Sequence, residues 1–193
     1  MPAGHNESSR NIQYTTLSHR WDSDSSSQFK LTRENIVHLC SDIELLSLPQ
    51  TFVDAIQITR KLGIRYLWID SLCIIQDDED DWTHEAALMD RVYMNGLLNI
   101  SAAGAEESSQ GCFFRRDPSR VDLMSITAPP GRQGSWRIAR ANFWIQGVEW
   151  ASLNKRGWVL QERVLSRRVL HFAKEQIFWE CRQLRASESL PWA

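Results

Sequence analysis

The hydrophobic positions of this chain gather into short unbroken runs separated by amphipathic stretches, and that alternation predicts its architecture. Residues 65–75 read Arg-Tyr-Leu-Trp-Ile-Asp-Ser-Leu-Cys-Ile-Ile, apolar at nearly every position. Such a run predicts a central strand buried on both faces, where regular polar positions are excluded. Residues 97–102, Leu-Leu-Asn-Ile-Ser-Ala, predict a second buried strand, and Tyr14-Thr-Thr-Leu-Ser18 a shorter one. Between the runs the period changes to that of a helix. Phe52, Ala55, Ile56 and Thr59 share one face of a helix with Ser47 as its cap, Pro49 in its first turn and Gly63 at its end. Trp82, Ala86, Met89 and Val92 or Tyr93 mark the next helix, which Gly96 ends. The acidic residues 77–81 precede it, where the positive helix N-terminus favours carboxylates. A weaker helix is expected over residues 32–40.

Strand, helix, strand, helix, strand at this spacing implies parallel strands joined by right-handed crossovers. From about residue 104 the texture changes. Pro129-Pro130-Gly131 and Gly134 lie between β-prone runs and predict a hairpin. A short helix is expected over 158–165, and residues 169–172 and 177–181 flank a second hairpin turn. The predicted fold is α/β, with a largely parallel central sheet flanked by helices and additional β-hairpins in the C-terminal half. The expected organisation is a flexible tail over 1–12, one domain over 13–185 and a second tail over 186–193. Within the domain, 13–103 form the α/β core and 104–185 a β-rich elaboration. The Ser- and Asp-rich loop 22–28 reads as a linker or mobile lid.

Composition narrows the function classes. A chain of 193 residues, 42% hydrophobic and 24% charged, fits one ordinary globular domain. The net charge of -2 with scattered Lys and Arg excludes nucleic acid as the principal partner. No apolar run reaches membrane-spanning length and the first ten residues lack a signal-peptide core, so a soluble cytoplasmic protein is expected. Cys40, Cys73, Cys112 and Cys181 lie far apart, which argues against a zinc site and for a reducing compartment. The acidic segment 77–81 lacks the glycine and ligand spacing of a calcium loop, so no metal is expected. Neither a Gly-x-Gly-x-x-Gly nor a Walker motif occurs, so no bound dinucleotide cofactor is expected either.

In an open α/β sheet, ligands bind outside the carboxyl ends of the strands. Ser18, His19, Arg20 and Trp21 follow the first strand, and Asp70 interrupts the run 65–75. Arg20 suits a diphosphate and Trp21 an aromatic base, or both belong to an ordinary surface loop. Asp70 suits ribose hydroxyls or the orientation of an Arg, or caps a strand end through backbone N–H groups. Asp54 reads as a surface or capping residue and Cys73 as inert core.

Four segments together resemble one family. They are Tyr14-Thr-Thr-Leu-Ser-His-Arg-Trp21, Leu48-Pro-Gln-Thr-Phe-Val-Asp-Ala-Ile56, the run from Tyr66 to Trp82, and Arg156-Gly-Trp-Val-Leu-Gln-Glu-Arg163. Their order is that of the fungal heterokaryon incompatibility (HET) domain, and the resemblance covers roughly residues 14–182. Asp22 departs from it, standing where the family usually carries a small residue after the Trp. The family implies a cell-death effector of fungal non-self recognition. It is also considered remotely similar to TIR domains, many of which hydrolyse NAD, which implies a TIR-like or flavodoxin-like core.

TIR-type NAD hydrolases carry a catalytic Glu four residues after a Trp, and Trp158-Val-Leu-Gln-Glu162 matches that spacing with Val159 in place of Cys. The resemblance thus implies Glu162 as catalytic carboxylate, with Trp158, Arg156, Asp70, Arg20, Trp21 and Ser18 as substrate-binding residues. NAD would be a substrate and not a resident cofactor. The competing reading makes Trp158 core and Glu162 a salt-bridge partner of Arg156, Arg163 or Arg167. Two functions remain open: NAD hydrolysis, or a non-enzymatic module that self-associates and recruits a death executor. The incompatibility partner is not legible, nor is whether the chain is a small family member or an excised domain.

Overall fold

The computed structural model describes residues 12–21, 28–120, 124–127, 134–138 and 142–191. In chain order the strands are β1 (Tyr14–Ser18), β2 (Tyr66–Ile69), β3 (Leu98–Ser101), β4 (Met124–Thr127), β5 (Ser135–Ile138), β6 (Arg168–Phe172), β7 (Ile177–Cys181) and β8 (Arg185–Ser187). The helices are α1 (Ile36–Ser41), α2 (Gln50–Lys61), α3 (Asp70–Cys73), α4 (Glu79–Asn95) and α5 (Gly157–Leu165).

Six strands form one sheet in the order β2-β1-β3-β6-β7-β8. The first four are parallel, and β7 and β8 extend the sheet as an antiparallel meander. The architecture is therefore the expected α/β sheet with antiparallel C-terminal hairpins. The chain leaves β1 to one side to make β2, then crosses to the other side to make β3. This reversal is a topological switch, and the carboxyl ends of β1 and β3 are where such sheets form a ligand crevice. β4 and β5 form a separate antiparallel ladder, and the turn with Pro129-Pro130-Gly131 lies outside the described residues. So do residues 1–11 of the expected tail and 22–27 of the expected lid.

The run 65–75 departs from expectation. Only Tyr66–Ile69 is strand, and β2 is an edge strand, not the central one. Asp70 starts the short helix α3, accepting a 2.7 Å hydrogen bond from the Ser71 N–H. The apolar run is shared between a sheet edge and a helical turn, a division that continuous hydrophobicity does not reveal. Tyr66 is consequently exposed, and Cys73 is an exposed residue rather than core, although burial of its thiol raises that group above the ordinary range. At the other end, β8 carries the sheet past residue 185, where the sequence suggested a tail.

Helix α2 buries the predicted stripe, with Phe52, Ala55 and Thr59 inside. Phe52 packs with Leu17 of β1, Ile69 of β2, Ile100 of β3 and Phe172 of β6, forming the main core beneath the sheet. Each such fully buried side chain contributes about 1.5–3 kcal/mol. Thr59 and Thr15 of β1 share a 2.7 Å hydroxyl contact, which seats the helix on the strand. Pro49, not Ser47, occupies the cap position, while the Ser47 hydroxyl donates to the Glu44 carbonyl. Asp54, expected at the surface or as a cap, is buried and caps a distant loop. Its Oδ2 accepts from the Cys112 N–H at 2.6 Å, and its Oδ1 from Gln50 Nε2 at 2.7 Å. Gly111, at φ +76, lets the backbone approach that carboxylate.

Helix α4 starts as predicted from its acidic link. The Asp78 carboxylate accepts from the N–H groups of Asp80 and Asp81. Tyr93 is its one buried residue, while Trp82 is exposed. Among the described residues no helix is long and apolar enough to cross a membrane.

Candidate functional site

The loop leaving β1 and the start of α3 meet at the crevice through Asp70. Trp21 Nε1 donates to Asp70 Oδ2 at 3.0 Å, and His19 Nδ1 lies 3.6 Å from Asp70 Oδ1. The buried His19 ring also meets Phe52 edge-on, with centroids 5.0 Å apart. Both carboxylate oxygens of Asp70 are therefore engaged within the protein. Arg156, just before α5, donates to the His19 carbonyl at 2.8 Å and places its guanidinium 5.9 Å from the Trp21 ring centroid. Residues far apart in sequence thus converge on one loop.

Glu162 enters the same neighbourhood from α5. That helix buries Val159 and Glu162, with Ser166 after it, an i, i+3, i+7 stripe. Trp158 sits one position off the stripe and is 53% exposed, so it does not share the enclosure of Glu162, which is 6% exposed. Arg163 turns away to bind Glu180 at 2.6 and 3.0 Å. No described cation forms an ion pair with Glu162, and its Oε2 has no hydrogen-bond partner among the described residues.

Burial drives the Glu162 carboxyl up to about 7. The Asp70 charge adds to that rise, while the Ser18 hydroxyl, the Arg156 charge and the Tyr93 hydroxyl oppose it. Tyr93 is pushed well above the ordinary phenol range, first by burial and then by the charges of Glu162 and Asp70. A buried carboxyl that changes charge near neutrality, under the influence of a cation and a second carboxylate, can act as an acid or as an electrostatic partner for developing positive charge.

Ser18 is fixed from below. Asn99 Nδ2 donates to Ser18 Oγ at 2.9 Å, and Asn99 Oδ1 accepts from Thr16 Oγ1 at 3.1 Å. These side chains bridge β1 and β3, whose register pairs Thr16 with Asn99. Arg20 is exposed, and its charge helps hold Glu106 below the usual carboxylate range, after the larger effect of Lys174. The structure therefore gathers Ser18, Trp21, Asp70, Arg156 and Glu162, and leaves Arg20 and Trp158 at the exposed margin.

Tyr93 and Asn99 were missed from sequence. Asn99 had a signal, being the one amide in a mostly apolar strand; Tyr93 had none, because an aromatic on a helix stripe reads as core. Among the described residues no three His, Cys, Asp or Glu side chains cluster as a metal site.

Fold and site together define an α/β domain with an enclosed carboxyl group beside the crevice between β1 and β3. The family described as heterokaryon incompatibility protein (HET) matches over residues 14–162. The chain belongs to this family, and membership assigns it a role in heterokaryon incompatibility. The match includes every residue of the site and ends on Glu162 itself. Comparisons with curated proteins and with solved structures returned no match.

Proposed function

We propose that this HET domain is a cell-death effector that hydrolyses NAD at the nicotinamide–ribose bond. The observation that carries the reading is the Oε2 of buried Glu162, unpartnered among the described residues and beside Ser18, Tyr93 and Arg156 at the sheet's carboxyl edge. The spacing of Trp158 and Glu162, which matches TIR-type NAD hydrolases, supports it further.

In this reaction the C–N bond breaks with its electron pair going to nicotinamide, and positive charge develops on the ribose. Water then adds to the sugar carbon and releases a proton, giving ADP-ribose. Ionised Glu162 stabilises the sugar cation, most strongly where water is excluded. Trp21, fixed at its ring nitrogen by Asp70, offers a face to an aromatic base, and exposed Trp158 a second one at the margin. Arg156 and Arg20 supply charge for the diphosphate. Asp70 acts by positioning Trp21 and His19, since its oxygens are already engaged.

The test is release of nicotinamide from NAD by purified protein, alone and after forced oligomerisation. Wild-type protein should turn NAD over and Glu162→Gln should lose at least about a hundredfold in rate. Protein that leaves NAD intact in both states while killing cells that express it would sink the enzymatic reading.

A second reading has its own observation. The outer face of α5 presents Leu160 and Val164, both exposed. Such an apolar face suits self-association, and a module that assembles and recruits an executor needs no chemistry at Glu162. Toxicity that survives in a folded Glu162→Ala variant favours this reading over hydrolysis.

A further inference from the structure

The opposite end of the sheet carries a second feature that the reading above does not use. A cleft of about 530 Å3 opens there, lined by Met94, Asn95, Arg167, Arg168, Cys181, Arg182 and Gln183. Its walls are the last residues of α4, the start of β6 and the end of β7. In the parallel part of the sheet this is the amino end of the strands, whereas Ser18 and Asp70 lie at or just beyond the carboxyl ends of β1 and β2.

Three guanidinium groups line this cleft and no carboxylate does. Arg168 gives one N–H to the Leu97 carbonyl at 3.3 Å, while Arg167 and Arg182 form no ion pair with a described residue. Glu180, the neighbouring acid, is already shared among Arg163, His171 and Arg185. Guanidinium groups left without acids in a concave site focus positive potential, and their planar forks match phosphate oxygens. Asn95 and Gln183 add neutral amide groups for the remainder of a ligand.

We propose that this cleft is a binding site for a small diphosphate-bearing anion, separate from the Glu162 site and independent of whether Glu162 is catalytic. Cys181 lies in the cleft wall and reports on occupancy. Its thiol is held below the ordinary range, chiefly by the backbone of Gln183, so it is a ready target for alkylation. An anion seated between the arginines raises that thiol and shields it.

The experiment measures iodoacetamide labelling of Cys181 by peptide-resolved mass spectrometry on the full chain, with exposed Cys40 and Cys73 as internal references. Millimolar pyrophosphate should slow labelling of Cys181 by at least about fivefold and leave the references unchanged. The Arg167→Gln/Arg182→Gln variant, altered only at exposed side chains, should lose that protection. Sodium chloride at matched ionic strength should not reproduce it. No protection by pyrophosphate, equal protection by chloride, or protection that persists in the double variant overturns the proposal.

Discussion

Arg156 donates through Nη1 to the carbonyl of His19 at 2.8 Å, across 137 residues of sequence. The bond ties the segment that opens α5 to the loop that leaves β1, so the carboxylate helix and the Trp21 loop are held as one unit. Removing the guanidinium leaves the His19 carbonyl without this donor. Arg156→Ala should lower stability by about 1–3 kcal/mol in urea titrations, the range for hydrogen bonds to charged groups. Arg156→Lys should recover only part of that loss, because a single ammonium cannot both reach the carbonyl and lie over the Trp21 ring. Full recovery by Lys would show that charge alone matters.

Glu162 links stability to pH. Its folded value, about 7, stands above the ordinary 4.5, so the native state holds the proton more tightly than the unfolded chain. The resulting stabilisation is complete below pH 4.5 and is lost as pH rises through about 7. Glu162→Gln removes the charge that must otherwise be buried. The variant should match the wild type near pH 4 and exceed it by up to about 3 kcal/mol near pH 8.5. A constant difference across that interval would contradict the buried position of the carboxyl group. NAD hydrolysis, if it needs ionised Glu162, should rise with pH over the same interval in which stability falls.

Glu180 behaves in the opposite sense. Burial opposes its ionisation, yet His171 and Arg163 together hold it down to about 2. Its contribution to stability is present above pH 4.5 and is lost as pH falls through about 2. Glu180→Gln should destabilise by about 3 kcal/mol at neutral pH, because Arg163 loses both of its carboxylate bonds. The difference should shrink in acid, which thermal melts at about pH 3 and 7 will show.

Gly111 sits at φ +76 against the Asp54 carboxylate. A methyl group there meets Asp54 Oδ2 and the Gln50 side chain in a backbone conformation that L residues rarely adopt. Gly111→Ala should cost about 2–3 kcal/mol by displacing the Asp54 cap from Cys112. Equal midpoints in denaturant titrations would show that this loop tolerates the shift.

Much of the fold follows from local pattern. The stripe Phe52, Ala55, Thr59 sits under the sheet as spaced, and Asp78 caps α4 where the acidic link placed a helix start. Local pattern failed at residues 65–75, because apolar continuity records burial but not whether a strand or a helical turn provides it. It also misled at Trp158, where the i, i+4 relation to Glu162 suggested a shared face. Trp158 lies in the first turn of the nine-residue helix and is exposed there, whereas Glu162 lies one turn further along and is buried.

What the sequence determined by itself was most of the elements, the parallel sheet and the identity of the family, all carried by spacing within short segments. Tertiary structure decided the charge and surroundings of Glu162. A carboxyl group becomes unusual only when water is removed and particular neighbours are brought close. Those neighbours, Ser18, Asp70, Tyr93 and Arg156, come from four separate parts of the chain. Their convergence depends on where β1, α3, α4 and α5 pack, and no spacing along the sequence records it.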